Sequence, residues 1–220
     1  MLASNASDQG FVLRLAARPV GHAGTTWGGS HFGDFRNKAV CPVRKAWKRF
    51  HWKRTEGVPG WTPTTPGARR AAEYLRETLQ AADTPNVRID SFDDDTPAGR
   101  RTFHNVLAEF PAAQADAPRI VLLSHFDTKA GVPGDTSETP FVGANDSGSS
   151  TGLLLALAAR FAAAPVPLPC HVLFAFLDGE ECAMAYSDRD GLHGSKRLAR
   201  DLRAQGVPVR AVLLADMIGD

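Results

Sequence analysis

Three runs of this chain restrict its fold more than anything else in it. Ile120-Val121-Leu122-Leu123, Cys170 to Leu177 and Val209 to Ala215 are apolar almost throughout, a pattern that suits strands covered on both faces and not strands with one solvated side. Segments with helical spacing separate and precede them. Thr65-Pro66 supplies a hydroxyl cap and a proline in the first turn, and Ala68, Ala71, Ala72, Leu75 and Leu79 then form one apolar stripe. Gly152 to Phe161, rich in leucine, reads as a buried helix, and Ser195 to Ala204 as a helix with a polar face. Val87-Arg88-Ile89 and Asn105 to Phe110 add two further strands. Strands alternating with helices predict a three-layer α/β/α sandwich around a mixed, mostly parallel central sheet. Sheets of this kind do their chemistry beyond the carboxyl ends of the strands.

Composition adds boundaries. A chain of 220 residues with 43% hydrophobic content can bury a sizeable core, which excludes a disordered protein. No apolar stretch reaches the roughly 18 residues that a membrane-spanning helix needs. Met1 to Gly24 shows no signal-peptide pattern, so the protein is expected either to stay inside the cell or to lack its true start. Cys41, Cys170 and Cys182 are odd in number and lack the spacing of a zinc knuckle or disulfide framework. Between Phe35 and Thr55 stand eight basic residues and no acid, and all four tryptophans (Trp27, Trp47, Trp52 and Trp61) lie in the first 61 residues. The chain therefore divides into an extension, residues 1–60, and a folded domain, residues 61–220. Basic and aromatic residues interleaved in this way can serve a nucleic-acid or anionic-membrane patch, but the plainer expectation is a solvated extension or a mis-assigned start, with no nucleic acid bound.

Each central strand ends in histidine or acids: His125-Phe126-Asp127, Asp178-Gly179-Glu180-Glu181 and Asp216. Asn145-Asp146 stands just before the buried helix. Gathering several carboxylates at one sheet edge costs several kcal/mol in desolvation unless a cation compensates them. One imidazole with several carboxylates suits zinc in a hydrolytic site, ahead of manganese or cobalt. On an extended backbone His125 and Asp127 face the same side, so one can bind metal while the other steadies it. Glu180 and Glu181 point apart, so one can coordinate and the other can move protons.

These stretches, together with Phe141-Val142-Gly143-Ala144-Asn145-Asp146-Ser147-Gly148, Asp190-Gly191-Leu192-His193-Gly194-Ser195 and Leu214-Ala215-Asp216-Met217-Ile218-Gly219, resemble the zinc-dependent M28 aminopeptidase superfamily over residues 66–220. Within it the chain is most similar to the glutaminyl-peptide cyclotransferases. The resemblance implies one or two zinc ions, with Asp146 as the central ligand, Glu181 as a second, and Glu180 as general acid/base. His125 and Asp216 would ligate a second zinc in a peptidase, and would be hydrogen-bonded neighbours of a single zinc in a cyclase, where Asp216 also serves catalysis. A cis peptide after Asp146 is implied as well. The substrate would be a peptide or protein N-terminus. Family members are often exported, so the resemblance leans towards a periplasmic or secreted location in a bacterium.

The loop from Cys182 to Gly194 is longer than aminopeptidases usually carry, and Tyr186-Ser187 supplies the aromatic pocket wall and serine of a cyclase, with tyrosine where animal cyclases have tryptophan. The reaction expected is therefore conversion of N-terminal glutamine to pyroglutamate with release of ammonia, and hydrolysis of an N-terminal residue is the alternative. The family's last ligand, a histidine from a C-terminal segment, has no counterpart after Asp216, so the sequence is expected to be either a fragment or a protein that has lost metal affinity, with weak or absent activity. Two other readings compete. Gly148-Ser149-Ser150-Thr151-Gly152 satisfies the Gly-x-Ser-x-Gly pattern of serine hydrolases, although that elbow needs a strand directly before it. A family member retained only as a binding module is the other.

Overall fold

A computed structural model of the chain describes residues 12–15 as backbone and residues 66–134, 136, 141–163, 166–206 and 208–219. The basic and tryptophan-bearing stretch of the extension lies outside the described residues. The elements are β1 (Val12–Leu15), α1 (Pro66–Ala81), β2 (Arg88–Thr96), β3 (Gly99–Phe110), β4 (Arg119–His125), α2 (Gly148–Ala163), β5 (His171–Leu177), α3 (His193–Gln205) and β6 (Val209–Ala215). They form one six-stranded sheet in the order β1-β6-β4-β5-β3-β2. The β1/β6, β6/β4 and β4/β5 pairs are parallel, while β5/β3 and β3/β2 are antiparallel.

Helices cover both faces, so the sandwich has the three layers that the sequence predicts. On one face α1 and α2 pack Ala71, Ala72, Leu75, Leu79, Leu154, Leu155 and Ala158 onto Val106, Ala108, Phe174 and Phe176. On the other face Leu198 and Leu202 of α3 meet Leu107, Val121, Leu173 and Ala175. The apolar stripe of α1 is buried at all five positions. Each leucine buried in this way contributes about 1.5–3 kcal/mol, which is why the alternation of apolar runs was enough to define the layers. No helix among the described residues is long and apolar enough to cross a membrane.

Strands β2 and β3 and helix α2 extend well beyond their expected limits. The short strands expected at Val87 to Ile89 and Asn105 to Phe110 belong to a long hairpin, β2 and β3, turned by Pro97-Ala98 and closed where Thr96 Oγ1 donates to Gly99 O at 2.7 Å. Its outer half is polar, with Asp93 and Asp95 beside Arg100, so it carries no apolar signal. Helix α2 begins at Gly148, a full turn before Gly152, because its first turn buries serines and threonine where hydrophobic residues would ordinarily lie.

The topology places the carboxyl ends of the three parallel strands β4, β5 and β6 side by side. The residues following those ends, and the loop leading into α2, therefore share one edge.

Candidate metal centre

His125 closes β4 and is 3% exposed. Its backbone carbonyl accepts from Thr151 Oγ1 at 2.6 Å, which ties the strand end to α2. The ring lies between carboxylates: Nδ1 is 3.4 Å from Asp127, while Nε2 is 2.9 Å from Asp146 and 3.5 Å from Asp216. One donor atom each from His125, Asp146 and Asp216 lies within 4.8 Å of the other two.

Each partner is positioned by local structure. Asp146 ends the segment before α2, and its peptide bond to Ser147 is cis, as the resemblance implies. The segment is fastened by Gly148 N–H to Gly143 O at 3.0 Å and by Ser149 Oγ to Asn145 O at 2.7 Å. Asp216 follows β6, and the residues after it are held to the same segment: Ile218 N–H donates to Ser149 Oγ at 3.1 Å and Gly219 N–H to Asn145 Oδ1 at 2.7 Å. Asn145 and Ser149 thus join the Asp146 and Asp216 loops, a role that their sequence does not announce.

Asp127 is fully buried. Besides facing His125 it accepts from Glu180 N–H at 3.2 Å and Glu181 N–H at 2.9 Å. His125 and Asp127, which the sequence pairs, thus lie side by side, and the same carboxylate also orients the acidic pair after β5. Gly179 makes the turn between them at φ 68°, and a Cβ there would meet the Phe103 ring at 2.5 Å.

The side chains of Glu180 and Glu181 meet different partners. Tyr186 donates its hydroxyl to Glu180 Oε2 at 3.2 Å. Glu181 lies outside the trio that converges within 4.8 Å; its Oε2 is 3.8 Å from Lys129 Nζ. The loop that carries Tyr186 is folded around Asp190, whose carboxylate accepts from Ala183, Met184 and Ala185 N–H at 2.6, 2.8 and 3.1 Å. His193, the histidine nearest to Asp216 in sequence, points elsewhere: its Nδ1 is 2.9 Å from Asp94 and its ring stacks on Phe103 at 4.4 Å.

The electrostatics fit a cation. Burial pushes Glu181 up to about 7, with Asp146, Asp127 and Glu180 adding to the shift. Burial likewise raises Glu180. Burial opposes charge on His125, yet Asp127, Asp146 and Asp216 hold its imidazolium well above the ordinary range. Asp178 at the end of β5 is driven to about 8 by burial and then by Asp127. His125 Nδ1 and Asp146 Oδ1 are buried without a geometrically sound hydrogen bond. A buried nitrogen facing converging carboxylate oxygens could hold a metal ion, and Asp127 stands behind Nδ1 where the orienting carboxylate of a histidine ligand would.

The serine pattern is structural. Ser150 lies inside α2, fully buried, donating to Ser147 O at 2.9 Å and accepting from Ser124 Oγ at 2.8 Å. The segment before it is the Asp146 loop and not a strand, so no nucleophile elbow forms.

Comparison with known proteins identifies the family. The model of peptidase family M28 matches residues 105–220. The chain is 37% identical over 150 residues to a Bos taurus glutaminyl-peptide cyclotransferase-like protein, covering 63% of this chain and 37% of that one. It is 29% identical over 157 residues to the Boiga irregularis glutaminyl-peptide cyclotransferase, covering 66% and 42%. Among solved structures, the glutaminyl cyclase of an Acidobacteriales bacterium superposes with a TM-score of 0.69 at 28% identity, covering 87% of this chain and 64% of that one. The chain thus spans less than half the length of the two sequence relatives.

Proposed function

The chain belongs to peptidase family M28, and from that premise we propose that it is a zinc-dependent glutaminyl cyclase, converting N-terminal glutamine of peptides to pyroglutamate with release of ammonia. The observation that carries the reading is the hydrogen bond from the wall residue Tyr186 to Glu180, beside the converging carboxylates and imidazole that both reactions need. Relatives named as glutaminyl-peptide cyclotransferases support the choice of reaction.

Asp146 and Glu181 would hold the zinc, with His125 and Asp216 either beside it or binding a second ion. Bound zinc supplies a Lewis acid that polarises the γ-carbonyl of the glutamine side chain. The rest of the work falls to residues of this chain. Glu180, raised by burial, is suited to take a proton from the attacking α-amine and return it to the departing ammonia. Tyr186, 56% exposed, stands at the wall and its hydroxyl keeps one Glu180 oxygen oriented. Asp127 fixes the backbone of both glutamates, so the proton-transfer group and the neighbouring ligand move as one unit. Asp190 holds the wall loop in place through three backbone amides.

Hydrolysis of an N-terminal residue is the second reading, favoured by the His125, Asp146 and Asp216 set, which is the second-ion site of a two-zinc peptidase in the family pattern. The test compares Gln-initiated and Leu-initiated peptides after chelation and after reloading with zinc. Zinc-dependent ammonia release from the first supports the cyclase. Free leucine from the second, without ammonia from the first, replaces it by the peptidase.

A further inference from the structure

Lys129 and Cys182 lie beside the site, and neither carries a step of the reaction proposed above. Lys129 Nζ donates to the Cys182 backbone carbonyl and lies 2.9 Å from Cys182 Sγ. The carbonyl contact anchors the amine, so the approach to sulfur is held in place. Cys182 is 6% exposed. It helps to line a cavity of about 100 Å³ together with Glu181, Asp190, His193, Arg101 and Phe103. That is room for a molecule as small as a peroxide, since a water occupies about 30 Å³.

We propose that Lys129 and Cys182 are an oxidant-driven modification site, closing a sulfenamide bond between Nζ and Sγ. The Cys182 sulfur attacks one oxygen of hydrogen peroxide, the O–O bond breaks, and the thiol is oxidised to sulfenic acid with release of one water. The Lys129 ammonium loses a proton to solvent through its side chain, which is 31% exposed. The amine then attacks the electrophilic sulfur and expels a second water. One peroxide becomes two waters, and the thiol and amine together lose two hydrogens. Loss of this proton slows the second step, while the 2.9 Å approach makes the attack intramolecular. Two equivalents of an external thiol reverse the link, restoring the amine and Cys182 as the reductant becomes a disulfide.

The link replaces the ammonium 3.8 Å from Glu181 Oε2 by a neutral nitrogen. It also ties the start of the Tyr186 loop to the segment after β4. Oxidation would therefore reach the site without altering His125, Asp146 or Asp216. This consequence rests on the proposed function; the bond itself does not.

The test treats the full chain with hydrogen peroxide, blocks the remaining thiols and reads tryptic peptides by mass spectrometry. The expected product joins the Lys129 and Cys182 peptides, weighs two hydrogens less than their sum, resists cleavage after Lys129 and disappears on reduction with dithiothreitol. It is expected to be absent from Lys129→Arg and from Cys182→Ser. Recovery of Cys182 as sulfinic acid, or in a disulfide with Cys41 or Cys170, with normal cleavage after Lys129, overturns the proposal. If Cys182→Ser does not fold, Lys129→Arg decides alone, because it keeps the charge and the thiol but removes the nucleophilic amine. Loss of ammonia release in the functional assay leaves this mass readout unchanged, so the two readings fail separately.

Discussion

Asp127 accepts from two successive backbone amides, of Glu180 and Glu181, and faces the ring nitrogen of His125 that points away from Asp146. Replacing it by asparagine keeps the shape but leaves one acceptor oxygen and puts an NH2 group against an N–H donor. If His125 binds the proposed zinc, Asp127→Asn is expected to weaken that binding by about 10–100-fold, the usual cost of removing such an orienting group, while circular dichroism stays native. Competition with a chromophoric chelator measures it, and unchanged affinity would reduce Asp127 to a loop fastener. Tyr186 acts more locally. Tyr186→Phe removes one hydrogen bond to Glu180, worth about 0.5–1.5 kcal/mol. Steady-state assay with a Gln-initiated peptide should show kcat lower by a few-fold to about tenfold with KM nearly constant. A change in KM alone would make Tyr186 a binding wall without influence on proton transfer.

At the scale of elements, the junction between α2 and the residues after β6 is the part of the site on which most depends. Asn145 Oδ1 and Ser149 Oγ together receive Gly219 N–H, Ile218 N–H and the Ser149 hydroxyl itself. Asn145→Ala should therefore loosen the segment bearing Asp216 as well as its own loop. The expected loss is about 1 kcal/mol, or a Tm lower by about 2–4 °C for a domain of this size, accompanied by weaker zinc binding. A Tm drop without a change in zinc affinity would show that Asp216 is held independently of this junction. The sequence revealed the elements unevenly, for a physical reason. Strands β4 and β5 are largely buried and β6 is apolar but only partly buried, so all three read as continuous apolar runs. Only Phe92 is buried in β2, and its acidic run Asp93-Asp94-Asp95 reads as loop. The candidate ligands were legible because carboxylates and histidine at the ends of apolar strands have no packing reason to be there. Asn145, Ser149 and the Lys129–Cys182 contact were not, since their roles exist only once α2, β6 and the loop after β5 have been brought together.

For the whole molecule, the consequence of one crowded edge is a stability that depends on pH and on cation together. Asp178 is raised to about 8 and Glu181 to about 7, first by burial, and His125 is held well above its ordinary range by the carboxylates around it. In each case the folded state holds a proton that the unfolded chain would release at lower pH. Stability is therefore expected to fall as pH rises, from about 4 for the two carboxyl groups and from about 6.5 for His125, and the loss is complete only above the folded values. Zinc competes with the protons on His125 and Glu181, so its stabilisation grows over the same range, reaching about 2.7 kcal/mol at a hundredfold excess over Kd. Thermal melts between about pH 5 and about pH 9 should thus show Tm declining in chelator and a much flatter profile with saturating zinc. Asp178→Asn removes one titrating group while keeping an acceptor for the His104 N–H that Asp178 Oδ2 receives at 2.9 Å. Its profile in chelator should be shallower than that of the parent, with the difference between chelator and zinc retained. A parental slope in Asp178→Asn would mean that Asp178 is ionised in the folded protein, and equal profiles with and without zinc would leave the edge without the cation that its charges call for.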